Sequence, residues 1–444
     1  MAPTGRFSLL VAIGVVPVVL LGGDAGAAWA TLVAWLLVAI GLGVADLAIA
    51  ASPRQVAVER ERPPRLRLGE TVHVELVLRN LGRRTLRAEV RDGWPPSAGV
   101  HGRNRSRIEV PAGEGRRVTL ALTPTRRGDR VSEAVTIRSR GPLGLWARQA
   151  TLAAPGRIRV LPPFHSRAHL PSRLTRLREL DGRTPILIRG QGTEFDSLRE
   201  YVRGDDVRSI DWRATARRSD PESPGSAKLM VRTWRPERDR RIVIVVDTSR
   251  TAAARIGDEP RLDTAYEAAL LLAALATHAG DRIDLLLWDR RLRGRVHGAS
   301  GADLLARMVD AMADVDSELI EADWAGVPAQ VRGVTSRRAL VVLLTAADSP
   351  GASRGLLSVL PQLTSRHRVI VASVADPTLE SAVLRRDELA EVYAAAAAER
   401  TRLDADRVAA AVRRLGASTV TAGPADLPPA LADRYLELKA AGQL

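Results

Sequence analysis

The chain has 444 residues, room for about three domains of ~150 residues, and its 45% hydrophobic and 26% charged residues exclude a wholly disordered or collagen-like protein. It has 0 cysteines, which excludes disulfides, thiolate zinc sites and cysteine nucleophiles. Lys+Arg 66 against Asp+Glu 51 gives a net charge of +15, and all the basic residues except Lys228 and Lys439 are arginine.

Two apolar stretches open the chain. Phe7 to Gly23 and Ala25 to Ala45 carry no charge, and only Gly22-Gly23-Asp24-Ala25-Gly26 separates them. Twenty-one helical residues extend about 32 Å, enough to cross the hydrocarbon core of a bilayer. The pattern predicts a two-helix transmembrane hairpin over residues 1–52. Arg6 precedes it and Arg54, Arg60, Arg62, Arg65 and Arg67 follow it. The positive-inside rule then places both ends, and the soluble domains, in the cytoplasm at the inner (plasma) membrane. A secretory signal ending at Ala25-Gly26-Ala27 is the competing reading, with Arg6 alone as its basic region. Asp46 is the one awkward charge; it is expected at the membrane interface.

Residues 51–160 hold 23 arginines against 10 acids. Val72, Val74, Leu76 and Leu78 alternate with polar residues, as do Val118, Leu120 and Leu122. With further strand candidates at 131–137 and 157–161 and frequent turn residues, residues 54–160 are expected to form a basic antiparallel β-sandwich. Clustered arginine next to apolar spans suits a surface facing anionic lipid. Nucleic acid is the alternative partner, but the arginines are not interleaved with aromatics and no nucleic-acid motif is present.

Residues 161–237 are expected to link the two soluble domains. Phe195, Leu198, Tyr201 and Val202 stand at helical spacing, Gly204-Asp205-Asp206 reads as a turn, and Ile210 and Trp212 are expected to anchor in something apolar. Asp205, Asp206 and Asp211 either hold a divalent cation or pair with Arg203, Arg208, Arg213 and Arg217. The order Gly192, Glu194, Phe195, Leu198, Arg199, Tyr201, Gly204, Asp205, Asp206, Arg208, Ile210, Asp211, Trp212, Ala216, Arg217 resembles the signature of the domain of unknown function 58 family. Arg126-Arg127-Gly128 and Gly141-Pro-Leu-Gly-Leu-Trp146 are similar to segments that precede that signature in the family. The resemblance runs over nearly the whole chain.

Residues 238–425 alternate between apolar strand runs (241–247, 283–288, 340–344, 369–374, 418–421) and helical patterns (262–278, 301–313, 356–363, then two helices flanking a turn near Thr401). Strands buried on both faces between helices predict a doubly wound, mostly parallel α/β domain of Rossmann type. A C-terminal helix is expected over 426–444. Asp247 ends the first strand, where ligands bind in such folds. In Asp247-Thr248-Ser249-Arg250-Thr251, one acid and two hydroxyls on alternate residues can converge on a hard cation such as Mg2+. The loop is similar to the metal-ion-dependent adhesion site of von Willebrand factor A domains, which the C-terminal half of the family resembles. That likeness assigns Asp247, Ser249 and Thr251 to the first metal loop. For the second and third loops only Ser300 and Asp348 are at hand; Ala346-Ala347 displaces the acid from Thr345, and Arg250 brings a cation into the first loop.

A membrane-anchored, non-catalytic interaction protein follows as the expected function. Its von Willebrand factor A-like domain grips a protein partner, and the resemblance implies a MoxR-type AAA+ ATPase in an assembly or chaperone-like role. The alternative is a metal-dependent hydrolase using Asp205, Asp206, Asp211 and Glu194. No H-E-x-x-H, G-x-S-x-G or P-loop motif supports a hydrolase.

Overall fold

The computed structural model describes residues 2–61, 63–182, 194–202, 205, 207–218, 229–235 and 240–444. The chain divides into two units, Met1–Pro163 and Phe164–Leu444.

The first unit opens with a short strand β1 (Ala2–Pro3) and the apolar helices α1 (Gly5–Ile13), α2 (Val15–Leu21) and α3 (Ala25–Ile49). Asp24 caps α3 by accepting the Ala27 N–H at 2.8 Å, which ends the intervening turn and starts the helix. Gly14 separates α1 from α2 and lies under the Trp35 ring, where a Cβ would meet Trp35 Cδ1 at 2.2 Å. The Trp35 indole N–H donates to the Leu10 carbonyl at 3.0 Å, so α1 and α3 pack side by side. Only α3 is both long and apolar enough to cross a membrane among the described residues.

The sandwich follows: β2 (Val56–Arg60), β3 (Leu66–Arg67), β4 (Val72–Asn80), β5 (Leu86–Asp92), β6 (Ser106–Val110), β7 (Gly115–Leu122), β8 (Gly128–Arg140) and β9 (Trp146–Leu161). One sheet runs β1-β9-β8-β5-β6 with β3 on β9; the other runs β2-β4-β7. All pairs are antiparallel except β3 with β9. In β4 every second residue from Val72 to Asn80 is buried, as the alternation predicts. Leu76, Leu78, Leu86, Val90, Val110 and Ile137 form the core between the sheets. A buried fork crosses that core. Arg60 Nη1 and Nη2 reach Asp92 Oδ2 and Oδ1 at 2.8 and 2.7 Å, while Ser132 and Trp94 donate to the same carboxylate at 2.8 and 2.7 Å.

The second unit begins with α4 (Leu170–Gly182), β10 (Glu194–Glu200), α5 (Trp212–Arg218) and β11 (Met230–Arg235). Here the helical expectation for Phe195 to Val202 is overturned. Through Glu200 the segment is a strand paired antiparallel with β11, with a register shift between Phe195 and Ser197, and Tyr201 and Val202 follow outside the strand. Trp212 does not anchor in a core either: it is 67% exposed, while Ile210 bridges to Val231.

The remaining elements are β12 (Arg241–Asp247), the small hairpin β13 (Arg255–Ile256) and β14 (Glu259–Pro260), α6 (Arg261–His278), β15 (Arg282–Trp288), β16 (Leu292–Val296), α7 (Gly301–Ala313), α8 (Val327–Val334), β17 (Leu340–Leu344), α9 (Arg354–Thr364), β18 (Arg368–Val374), α10 (Thr378–Leu384), α11 (Leu389–Arg414), β19 (Ser418–Ala422) and α12 (Leu427–Ala440). The sheet order is β16-β15-β12-β17-β18-β19. Every pair in it is parallel except the edge pair β15–β16. Val243 and Val245 of β12 pack with α8, α9 and α11, and α6 and α12 cover the other face. α6 is buried from Leu262 to Ala276. Two polar ties hold its coverings: the Ser166 N–H donates to Glu267 Oε2 at 2.8 Å, and Tyr435 of α12 donates to Asp281 at 2.6 Å.

One further expectation fails: α11 runs unbroken through Thr401, whose hydroxyl bonds back to the Ala397 carbonyl at 3.0 Å. A capping box between Glu388 and Glu391 starts it.

Candidate functional site

β12 has β15 on one side and β17 on the other. The chain leaves β12 through α6 to β15, then returns by way of α7 and α8 to β17 on the opposite flank. The carboxyl end of β12 is therefore the topological switch point, where diverging loops leave an opening. Asp247 stands at that end, 3% exposed.

Three donors converge on its carboxylate. The Ser249 N–H reaches Oδ1 at 2.8 Å, and the Thr251 and Thr345 hydroxyls reach Oδ2 at 2.9 and 2.7 Å. Ser249 Oγ lies 3.2 Å from Thr251 Oγ1. One carboxylate and three hydroxyls thus form a single oxygen cluster, and Asp247, Ser249 and Thr251 are together as expected. Thr345 was missed. The signal for it was strand register: Val246 pairs with Leu344, so the next residues, Asp247 and Thr345, stand side by side.

Ser300 and Asp348 are placed otherwise. Ser300 is the exposed residue before α7 and makes no side-chain capping bond. Asp348 pairs with Arg261, the first residue of α6, at 2.5 Å. Arg261, Asp247 and Thr345 line a small recess of about 20 Å³ whose remaining wall is alanine, leucine and valine, Leu344, Val374 and Leu427 among them. That volume holds roughly one water or one small ion. The Arg250 guanidinium points away from it, to Glu321 Oε1 at 2.7 Å.

Asp289, just past β15, steadies the loop. It accepts the Thr248 hydroxyl at 3.3 Å, the Arg291 N–H at 3.0 Å and Arg293 at 2.8 Å. Burial works to raise its carboxyl, but Arg293 and the backbone donors outweigh burial and hold it below the usual carboxylate range.

A hard cation takes oxygen ligands, and the Asp247 cluster is all oxygen with one formal charge. In donor chemistry and charge these residues are compatible with one small hard ion. Among the described residues, no three or more His, Cys, Asp or Glu side chains gather in the way a chelating site needs.

Two of the signature acids, Asp205 and Asp211, are held by local hydrogen bonds and ion pairs. Asp205 accepts Arg199 Nη2 at 2.7 Å and the Val202 N–H at 2.9 Å. Asp211 caps α5 through the N–H groups of Arg213 and Ala214, both at 3.0 Å, and pairs with Arg232 at 2.7 Å. The Ala214 N–H and then Arg232 hold the Asp211 carboxyl below its ordinary value. Asp205 thus pairs with Arg199, and Asp211 with Arg232. Tyr201 joins the hairpin through its backbone, donating to the Leu229 carbonyl at 2.7 Å. Arg208 lies in the short turn 207–209, and Arg217 is an exposed residue of α5. Gly192, Gly204 and Asp206 lie outside the described residues, as does the Glu194 side chain.

The uncharacterized proteins Rv1480 of Mycobacterium tuberculosis and Mb1516 of Mycobacterium bovis are 27% identical to this chain over 204 residues. The match covers 43% of this chain and 57% of theirs. Among solved structures, the SpRpn10 VWA domain aligns over 44% of this chain and 94% of its own, at 10% identity and a TM-score of 0.28. The CARDB domain of PF1109 from Pyrococcus furiosus aligns over 24% of this chain and 94% of its own, at 16% identity and a TM-score of 0.18. A family model described as protein of unknown function DUF58 matches residues 197–420, half of the chain, and the protein belongs to that family.

Proposed function

We propose that the protein is a membrane-anchored interaction protein that grips a protein partner through the Asp247 site. The observation that carries the reading is the convergence of Asp247, Ser249, Thr251 and Thr345 beside a recess at the switch point. In this reading Asp247, Ser249 and Thr251 hold Mg2+, and Thr345 orients the carboxylate. When bound, the ion supplies a Lewis-acidic coordination position for an acidic group of the partner. The chain's own residues hold and orient that site.

α3 anchors the protein in the bilayer. α1 and α2 lie in the same bilayer against α3, with the soluble units on the cytoplasmic side, where positive-inside asymmetry favours an arginine-rich domain. The family resemblance supports a MoxR-type AAA+ ATPase as the partner, in an assembly or chaperone-like role.

The test is affinity purification of the full chain in mild detergent, with Mg2+ or with a chelator, alongside Asp247→Ala. Recovery of a MoxR-type ATPase that needs both Mg2+ and Asp247 is the expected result. Recovery of none, or recovery indifferent to both, contradicts the reading.

A further inference from the structure

We propose that two loops of the sandwich, Leu81–Thr85 and Gly141–Leu145, form a docking surface for the anionic headgroup layer of the bilayer that α3 crosses. The proposal rests on the membrane-spanning reading of α3 and adds a second point of contact to it.

The placement follows from helix length. The 25 residues of α3 extend about 37 Å against a hydrocarbon core of about 30 Å, so its last turn or so lies at headgroup depth. The sandwich is fastened to that turn. Asp46, 1% exposed, accepts the backbone N–H groups of Leu143, Leu145 and Trp146 at 2.8, 2.7 and 3.3 Å. Arg148 donates to the Leu47 carbonyl at 3.0 Å, and Arg84 to the Ala48 carbonyl. These contacts satisfy carbonyls that the helix end leaves open.

Gly141 makes the approach feasible: a Cβ there would stand 2.2 Å from Asp46 Oδ1 and 2.3 Å from its carbonyl oxygen. The start of α1 grips the same loop. The Thr4 N–H donates to the Leu145 carbonyl at 3.0 Å, and Arg6 to the Leu143 carbonyl at 3.2 Å. The second loop leans on the segment after α3, the Leu81 N–H donating to the Gln55 carbonyl at 2.8 Å.

Both loops are thus held at the depth where lipid headgroups begin. Each turns a leucine outward: Leu81 is 65% exposed and Leu143 51%. Exposed arginines surround them, namely Arg6, Arg54, Arg83 and Arg84. Apolar side chains that can dip below guanidinium groups at headgroup height match an anionic membrane surface. The net charge of the sandwich segment has the complementary sign.

The chain's 0 cysteines make site-specific labelling direct. The full chain carrying Leu81→Cys, Leu143→Cys, Glu70→Cys or Leu37→Cys is labelled with an environment-sensitive dye. Each is reconstituted into lipid nanodiscs of phosphatidylcholine with or without phosphatidylglycerol. Glu70 precedes the end of β4 remote from α3, and Leu37 is mid-helix.

Dyes at 81 and 143 are expected to shift to the blue and lose emission to a headgroup-depth spin-labelled lipid, while the dye at 70 does neither. Arg54→Gln with Arg83→Gln is expected to weaken that quenching only where phosphatidylglycerol is present. Water-like emission at 81 and 143, with the dye at 37 quenched by a chain-depth spin label, overturns the docking surface and leaves the anchor standing. Shielding at 81 and 143 that arises only on adding another protein also overturns it. No quenching at 37 removes the anchor and the docking surface together.

Discussion

Thr345→Val is the sharpest single perturbation of the Asp247 site. It removes one hydroxyl and leaves the shape of the side chain nearly intact. In the structure that hydroxyl donates to Asp247 Oδ2 at 2.7 Å, the shortest of the three bonds to the carboxylate. Asp247 is 3% exposed, so at most the one water that the adjacent recess can hold is at hand to replace the lost donor. A hydrogen bond to a charged group is worth about 1.5–3 kcal/mol. At about 2–4 °C per kcal/mol for a unit of this size, the melting temperature of the second unit should fall by roughly 3–12 °C. Thr345→Ser keeps the donor and should recover most of the loss. Ser300→Ala removes an exposed hydroxyl with no capping bond and should stay within about 0.5 kcal/mol of the parent. Thermal unfolding of the detergent-solubilised chain, followed by circular dichroism, reads all three. A Thr345→Val protein that melts with the parent while Ser300→Ala melts early would refute the assigned geometry.

Asp92→Ala should cost the first unit about 3–5 kcal/mol, because it strands the Arg60 guanidinium, whose side chain is 5% exposed. The paired change Arg60→Met with Asp92→Leu should cost much less, and chemical denaturation of the two proteins compares them. His367 predicts a pH effect in the second unit. Burial, and then Arg366, depress its pKa below the usual histidine value of about 6.5. Below about pH 6.5 the unfolded chain therefore binds the proton before the folded one does. The stability that neutral His367 retains is present above that pH and lost as pH falls towards the folded value. Denaturation midpoints across this window should separate the parent from His367→Gln, whose curve should be flatter; superimposable curves would contradict the assignment.

The α/β sheet was legible because its strands are apolar on both faces and its helices keep a period near 3.6. Asp247 was legible for a related reason: a carboxylate closing such a strand lies where these folds bind ligands. Thr345 was not, since its place beside Asp247 depends on β17 being the neighbour of β12, which no local pattern states. The Arg261–Asp348 pair is hidden in the same way, by the long stretch of chain between the two residues. The segment from Phe195 read as a helix because Phe195, Leu198, Tyr201 and Val202 stand at helical intervals, whereas β10 ends at Glu200 and carries a register shift between Phe195 and Ser197. The polar stretch around Thr401 suggested a break, whereas those residues line the exposed side of one long helix. Asp46 looked like a misfit until the loop whose N–H groups it accepts was in view, about a hundred residues away.

Isothermal titration of Mg2+ into the full chain, beside Asp247→Ala, tests the central claim most directly. The expected result is saturable heat at one site in the parent and none in the variant. No binding by the parent, or equal binding by both proteins, would contradict a cation-dependent grip at the end of β12.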